Sequence, residues 1–557
     1  MNVFSLMRFF LPLQNPLGFG LSDYLELGVA ALAVAAILLR GYVGRALRFV
    51  ADRPRWAMGI LFALPILLRL ALLPRHPVPI PQTSDDFSYL LLADTLAHFR
   101  LANPMHPMRR FFETVFVLQE PSYSSIYPLG QGIALAVGEL VFREPWAGVL
   151  ISIGLMCALV YWMLRAWVPP VWALVGGLLA VMEFGPLNQW TNNYWGGAVS
   201  AIAGCLVFGA LPRLFYKSNP MYSALAGVGL GLQILSRPFE SVLLAVCLAV
   251  PMGMLLLRRA WRTVGVFLLA LSPALLLVVL QNEAVSKSWA TLPYMVSRYQ
   301  YGVPAGFTFQ PNPIPHNPLN REQQMDYQAQ IDVHGDQPET LSSFCKRLLD
   351  RVRFFRFFFL PPLFLALPFA LPSLRRRVYL WAAGSVPVFV LGSNCYPYYY
   401  PHYIAAVTCV FVLFSVAGLE RLSRLSPGAM RILALFCLAH FAFWYGLHLF
   451  GDENLFIATG AYESWDFVNF GDSEGRLAIN RRLAAAPGQQ LVIVRLGPTH
   501  LLREWIHNEA DIDRSRVVWA LDLGPEEDAK LIAYYPRRTV WLAEPDAKPP
   551  RLEPYTP

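Results

Sequence analysis

Apolar runs of about 17 to 25 residues recur along the chain, broken by short polar turns. Each is long enough to cross a bilayer as a helix. The pattern predicts about twelve spanning helices, near 24–40, 56–74, 146–167, 171–187, 195–212, 221–236, 239–257, 263–282, 354–372, 378–393, 403–420 and 430–450. Residues 1–23 show no clean signal-peptide cleavage site and read as an interfacial N-terminal segment. The expected fold class is an α-helical polytopic membrane protein.

A further apolar run at 127–142 is too short to cross comfortably. If it crossed, every later loop would change sides. It therefore reads as a helix at the outer interface, within a long outer loop from 75 to 145. A second long loop runs from 283 to 353, rich in Pro, Gly and aromatic residues. Residues 24–450 form the membrane domain in this reading.

From residue 451 the pattern changes, and charges appear throughout. The runs "LVIV" (491–494), "RVVWALD" (516–522) and "TVWLAE" (539–544) read as strands, with helices near 499–508 and 525–534. This predicts a small C-terminal α/β soluble domain with a mostly parallel sheet.

Charge fixes the expected orientation. Arginines gather in five loops: Arg40, Arg45, Arg48, Arg53 and Arg55; Arg213 with Lys217; Arg258, Arg259 and Arg262; Arg375 to Arg377; and Arg421, Arg424 and Arg431. All five fall on one side if the helices alternate, which makes that side cytoplasmic. The expected location is a bacterial inner membrane, with the long loops and the C-terminal domain facing the periplasm or exterior. The net charge of +8 is this loop bias and no nucleic-acid footprint. Five of the seven cysteines lie in apolar segments, and no spacing supports a bridge between Cys345 and Cys395.

The candidate chemistry lies on the outer side. "TSDDFSYLLLADTLAH" places Asp85 and Asp86 just after the second predicted span. Ser84 can cap the helix, with both acids in its first turn. A carboxylate held at a helix start can equally serve as a general base. Arg237 and Glu240 in "SRPFE" offer a cation and an ion-pair partner. His402 and Tyr403 stand in "YYYPHY". Asn192, Asn193, Tyr194 and Trp195 suit either sugar binding or helix capping. Lys287 and Arg298 open the long loop. Arg109, Arg110 and Glu113 line a cavity in one reading and anchor to headgroups in another. Asp94 and His98 read as a plain helix pair, and Glu509, Asp511 and Asp513 as a solvated loop.

"SDDFSYLLLADTLAHFRLANP", followed by "YPLGQG", "NNYWGGA", "SRPFE" and "YYPHYIAA", resembles the GT-C superfamily of integral-membrane glycosyltransferases. The closest branch is bacterial and related to protein O-mannosyltransferases and aminoarabinose transferases. Relatives often carry Asp-Glu where this chain has Asp85-Asp86, and some carry a Lys- or His-Pro-Pro motif near "YPLGQG". The resemblance implies a donor sugar on a polyprenyl phosphate, an inverting transfer at the outer face and a glycan, glycolipid or protein acceptor. It implies Asp85 as general base, with Asp86 orienting it or helping to bind a divalent cation where one is used. Tyr127 belongs to the same implied substrate-binding set. The sequence shows no metal-ligand pattern, so any cofactor is left unknown. The competing readings are a transporter or flippase of a lipid or glycan, and a non-catalytic envelope assembly protein.

Overall fold

The computed structural model describes residues 28, 42–81, 83–216, 219–450, 475–498, 500 and 503–555. The first predicted span, the N-terminal segment, Lys217 and the stretch 451–474 lie outside the described residues.

Among the described residues, seven helices are long and apolar enough to cross a membrane. Pro145–Leu164, Ala198–Tyr216 and Thr408–Leu425 are largely buried and form the centre of the bundle. Pro54–Ala71 and Trp261–Ser286 lie outside them and leave many apolar side chains uncovered, Leu67, Leu269 and Leu276 among them. Such a surface suits lipid tails and not water.

Proline marks many of the boundaries. Helices begin at Pro145, Pro170, Pro220, Pro238 and Pro427. At a first helical position the missing N–H has no partner to lose. The predicted span at 354–372 departs from expectation for the same reason in reverse. Pro361, Pro362, Pro368 and Pro372 interrupt it, and it folds as short 3₁₀ turns around a single helical turn at Leu367–Ala370. Residues 401–407 also form a 3₁₀ turn before Thr408 starts a regular helix. The short apolar run is a helix of 14 residues, Leu129–Phe142.

Small residues set the close approaches that build the upper end of the bundle. A Cβ on Gly204 would overlap the Ala406 carbonyl, so the Ala198–Tyr216 helix lies directly against the 401–407 turn. A Cβ on Gly130 would overlap Ser236, which seats the start of the Leu129–Phe142 helix beside Arg237.

The C-terminal sheet has strands β1 (Gln490–Val494), β2 (Val517–Leu521), β3 (Thr539–Glu544) and β4 (Arg551–Pro554), in the order β2-β1-β3-β4. β1 is parallel to both β2 and β3, and β4 adds an antiparallel edge. The helix near 525–534 is present as Pro525–Tyr534. Residues 503–508 are irregular and not helical. Trp505 and Ile506 are buried side by side there, and Glu504 accepts a hydrogen bond from the Ile506 N–H at 2.7 Å, which competes with a helical turn.

This sheet region shares a core with the 75–145 segment. Leu91, Phe112 and Tyr123 pack with Leu491, Ile512 and Tyr535. The Ala510 N–H donates to Asp94 at 2.6 Å, and His106 lies 3.0 Å from Asp513. Asp513 and Asp94 therefore act as docking groups. All seven cysteines, Cys345 and Cys395 included, are free thiols.

Candidate active site

The two adjacent acids are divided by helix geometry. The helix Ser84–Ala97 is capped by Thr83, one residue before the expected Ser84. Thr83 Oγ1 accepts from the Asp86 N–H at 3.3 Å, while Asp86 Oδ2 accepts from the Thr83 N–H at 3.2 Å. This reciprocal capping box fixes Asp86 at the third helical position. Its other oxygen accepts from the Tyr194 N–H at 3.1 Å, so Asp86 ties the helix start to the 188–196 loop. Successive helical residues point about 100° apart. With Asp86 turned into the cap, Asp85 faces a cavity on the other side.

That cavity has a volume of about 420 Å³. Its wall gathers Asp85, Tyr127, Arg237, Glu240, Arg298, His402 and Tyr403 from five separate stretches of chain. Tyr127 donates a short hydrogen bond to Asp85 Oδ1 and stacks on Tyr89 with ring centroids 4.2 Å apart. Burial pushes the Asp85 carboxyl up to about 6, while the Tyr127 hydrogen bond and the charge of Arg237 pull it down. Such a group is mostly ionised at neutral pH yet basic enough to accept a proton.

The cations flank it. Arg237 stands at the junction of two helices, with its guanidinium carbon 5.3 Å from the Tyr403 ring centre. Its guanidinium makes no hydrogen bond or ion pair among the described residues, and Glu240 lies beyond the 4.0 Å of an ion pair. The expected Arg237–Glu240 pair is thus absent. Arg237 is the cap residue of the helix and Glu240 its third residue, so the two point differently. Arg298 is held by the carbonyls of Pro304 and Ala305 at 2.9 and 3.1 Å. His402 is buried among Trp195, Tyr400 and Tyr403, with ring centroids 4.8 to 5.5 Å away.

One cavity acid was not foreseen. Asp326 projects from the helix Arg321–His334, which carries the 283–353 segment across the cavity as a strap. Gln330 donates to Asp326 Oδ2 at 2.6 Å, and Gln330 itself accepts from the Ala305 N–H at 2.7 Å. Burial pushes the Asp326 carboxyl up to about 7; the Gln330 bond lowers it and Asp85 raises it further. The stretch "REQQMDYQAQ" is polar throughout, and nothing in its pattern marks one acid as inward-facing. Trp195 also lines the cavity.

The remaining candidates stand elsewhere. Asn193 accepts from the Gly196 N–H at 3.2 Å, and the Tyr194 hydroxyl donates to the Pro79 carbonyl at 2.8 Å. Asn192 accepts from Arg69, which is fully buried and bridges the end of the Pro54–Ala71 helix to this loop. These groups brace the site from behind. Lys287 is exposed at a helix end and donates to the Ala284 carbonyl at 3.0 Å. Arg109 pairs with Glu120 outside the cavity. Among the described residues no three carboxylate, histidine or thiol side chains gather closely enough to hold a metal ion. Asp85, Glu240 and Asp326 come from three different elements and do not form a ligand set.

No family model matches the chain, and no curated protein matches it by sequence. Solved structures do share its fold. ArnT from Cupriavidus metallidurans in the apo state superposes with a TM-score of 0.50 at 13% identity, covering 87% of this chain and 92% of that one. The same protein bound to undecaprenyl phosphate gives 0.51 at 13% identity, with the same coverage. AglB, the archaeal oligosaccharyltransferase from Archaeoglobus fulgidus in complex with an inhibitory peptide and a dolichol-phosphate, gives 0.41 at 12% identity over 88% of this chain and 69% of that one.

Proposed function

We propose that this chain is a GT-C-type glycosyltransferase that moves a sugar from a polyprenyl-phosphate donor to an acceptor at the outer face of the membrane. The observation that carries the reading is the meeting of Asp85 with two arginines and His402 in one cavity. The fold shared with ArnT, which was solved with undecaprenyl phosphate, supports the choice of donor class.

The reaction follows from the wall. An acceptor hydroxyl enters beside Asp85, which takes its proton as the oxygen attacks the anomeric carbon. The bond between that carbon and the phosphate oxygen breaks on the opposite face, so the configuration inverts. The electron pair leaves on the lipid phosphate. Arg237, whose guanidinium is in no ion pair among the described residues, meets the charge that develops there, in a site where burial strengthens the attraction. Arg298 and His402 complete the polar wall, and Trp195, Tyr400 and Tyr403 provide faces for sugar stacking. Asp86 acts through Asp85 by fixing the helix start. In this reading the cavity faces the periplasm of a bacterial inner membrane, and the acceptor is a glycan, glycolipid or protein.

The test uses full-length protein in lipid nanodiscs with a panel of undecaprenyl-phosphate monosaccharides and a cell-envelope acceptor fraction. Mass spectrometry follows donor consumption. One donor consumed by the wild type and spared by Asp85→Asn is the expected result. Consumption of none by folded protein, or equal consumption by the variant, refutes the reading.

A further inference from the structure

A second cavity lies at the opposite end of the bundle. The helix Thr408–Leu425 follows the turn that carries His402 and ends at this second site, a rise of about 27 Å at 1.5 Å per residue. The cavity holds about 320 Å³. Three stretches meet there: the turn before Pro170, the turn around Ser373 and the last turns of Thr408–Leu425.

Its floor is aromatic. Trp167 and Tyr379 meet edge to face at 5.2 Å, and the Tyr379 hydroxyl donates to the Trp167 carbonyl at 3.1 Å. Its rim is cationic, with Arg376, Arg421 and Arg424 and the Ser373 hydroxyl. Glu420 also lines it and is joined to Arg424 at 2.5 Å. The guanidinium groups of Arg376 and Arg421 make no hydrogen bond or ion pair among the described residues. Two guanidinium groups therefore remain to recognise one anion.

An orientation signal needs only positive charge in a loop. It needs no cavity, no aromatic floor and no hydroxyl on the rim. Planar guanidinium groups converging on a pocket suit the oxygens of a phosphate, which they can bind in pairs. The surroundings indicate where that phosphate comes from. Leu371, Leu380 and Leu425, each adjacent in sequence to a residue of the pocket wall, are 63%, 58% and 62% exposed. Apolar side chains flanking a cationic pocket at a helix end suit acyl chains below a headgroup.

We propose that this pocket binds the phosphate headgroup of an anionic phospholipid, in the leaflet opposite the acidic cavity. Arg376 and Arg421 contact the phosphate, and Arg424 is held in reserve by Glu420.

The experiment titrates the full chain, in a neutral detergent, with phosphatidylglycerol, phosphatidylcholine or inorganic phosphate. Native mass spectrometry counts bound lipid and thermal unfolding reads the stabilisation. Phosphatidylglycerol is expected to bind and raise the midpoint, and phosphatidylcholine is not. Arg376→Gln/Arg421→Gln is expected to weaken binding at least about tenfold. Arg258→Gln/Arg259→Gln, which removes equal charge from another loop, should leave it unchanged. Both pairs are exposed, so the unliganded midpoint reports that each variant folds. Equal binding of the two lipids, or equal loss in the two double variants, overturns the proposal. Inorganic phosphate binding as tightly as phosphatidylglycerol would assign the pocket to a soluble anion and overturn the lipid source.

Discussion

Tyr127 donates its hydroxyl proton to Asp85 from across a turn 42 residues further along the chain. The bond holds the carboxylate toward the cavity and favours its charged form. Burial acts the other way and is the larger effect, which leaves Asp85 at about 6.

Removing that bond should move the pH dependence. Tyr127→Phe takes away a group that lowers the Asp85 pKa, so the acidic limb of kcat/KM should move to higher pH, by about one pH unit. In the wild type the limb is expected near pH 6, with activity rising as Asp85 ionises. Arg237→Gln removes a second lowering influence and should move the limb the same way. An acidic limb that stays in place in Tyr127→Phe would remove Asp85 from the role of base.

The two acids should separate cleanly by readout. Asp85→Asn should cost about 10²- to 10⁴-fold in kcat with little change in thermal midpoint. Asp86→Ala should instead lower stability by about 1 to 3 kcal/mol, since it breaks the capping box and strands the buried Tyr194 N–H. Its residual activity at low temperature should exceed that of Asp85→Asn. Calorimetry alongside single-turnover kinetics decides this.

Asp326 should act on binding. Its carboxyl lies near 7, so close to half is protonated at neutral pH and can donate to a substrate oxygen. Asp326→Asn keeps a donor and should change KM by less than about threefold. Asp326→Leu leaves a wall that cannot hydrogen-bond, and should raise KM about tenfold or more, with a smaller change in kcat. A kcat loss as large as that of Asp85→Asn would instead make Asp326 part of the chemistry.

Docking of the C-terminal sheet should weaken with rising pH. Glu504 and Glu322 are both buried where the sheet region meets the strap helix, and Thr114 donates to Glu504. Burial pushes Glu504 up to about 8 and raises Glu322 as well. An unfolded glutamate titrates near about 4.3. The folded state therefore holds protons that the unfolded state releases. Stability is full below about pH 4, falls as pH rises and levels above about 8. Glu504→Gln should flatten the fall in thermal midpoint between pH 6 and 8. An unchanged slope would show that these acids release their protons on another path.

Much of the molecule is legible from short-range pattern. Apolar runs of spanning length mark most of the helices, because a bilayer leaves backbone groups no partner other than their own helix, and the proline-broken run at 354–372 is the exception. Prolines at first helical positions mark many starts. The strands at 491–494 and 539–544 follow from local rules of the same kind, while the cap falls on Thr83, one residue before the expected Ser84. The candidates Asp85, Tyr127, Arg237, Glu240, Arg298, His402 and Tyr403 lie in loops or at predicted helix ends with unusual chemistry, and each lines the cavity.

What tertiary structure decided is direction and company. Asp85 and Asp86 are adjacent acids in sequence; the Thr83 capping box takes one oxygen of Asp86, and the Tyr194 N–H, 108 residues away, takes the other. Asn193 and Lys287 carry suitable groups but meet local backbone partners first. Asp326 looks like any acid on a polar helix until the strap crosses the cavity and buries it. The pocket at Arg376 and Arg421 arises only where three distant turns converge. Periodicity and capping act over a few residues and are written in the chain. Burial, charge coupling and cavity walls depend on contacts between remote segments, and those exist only once the helices have packed.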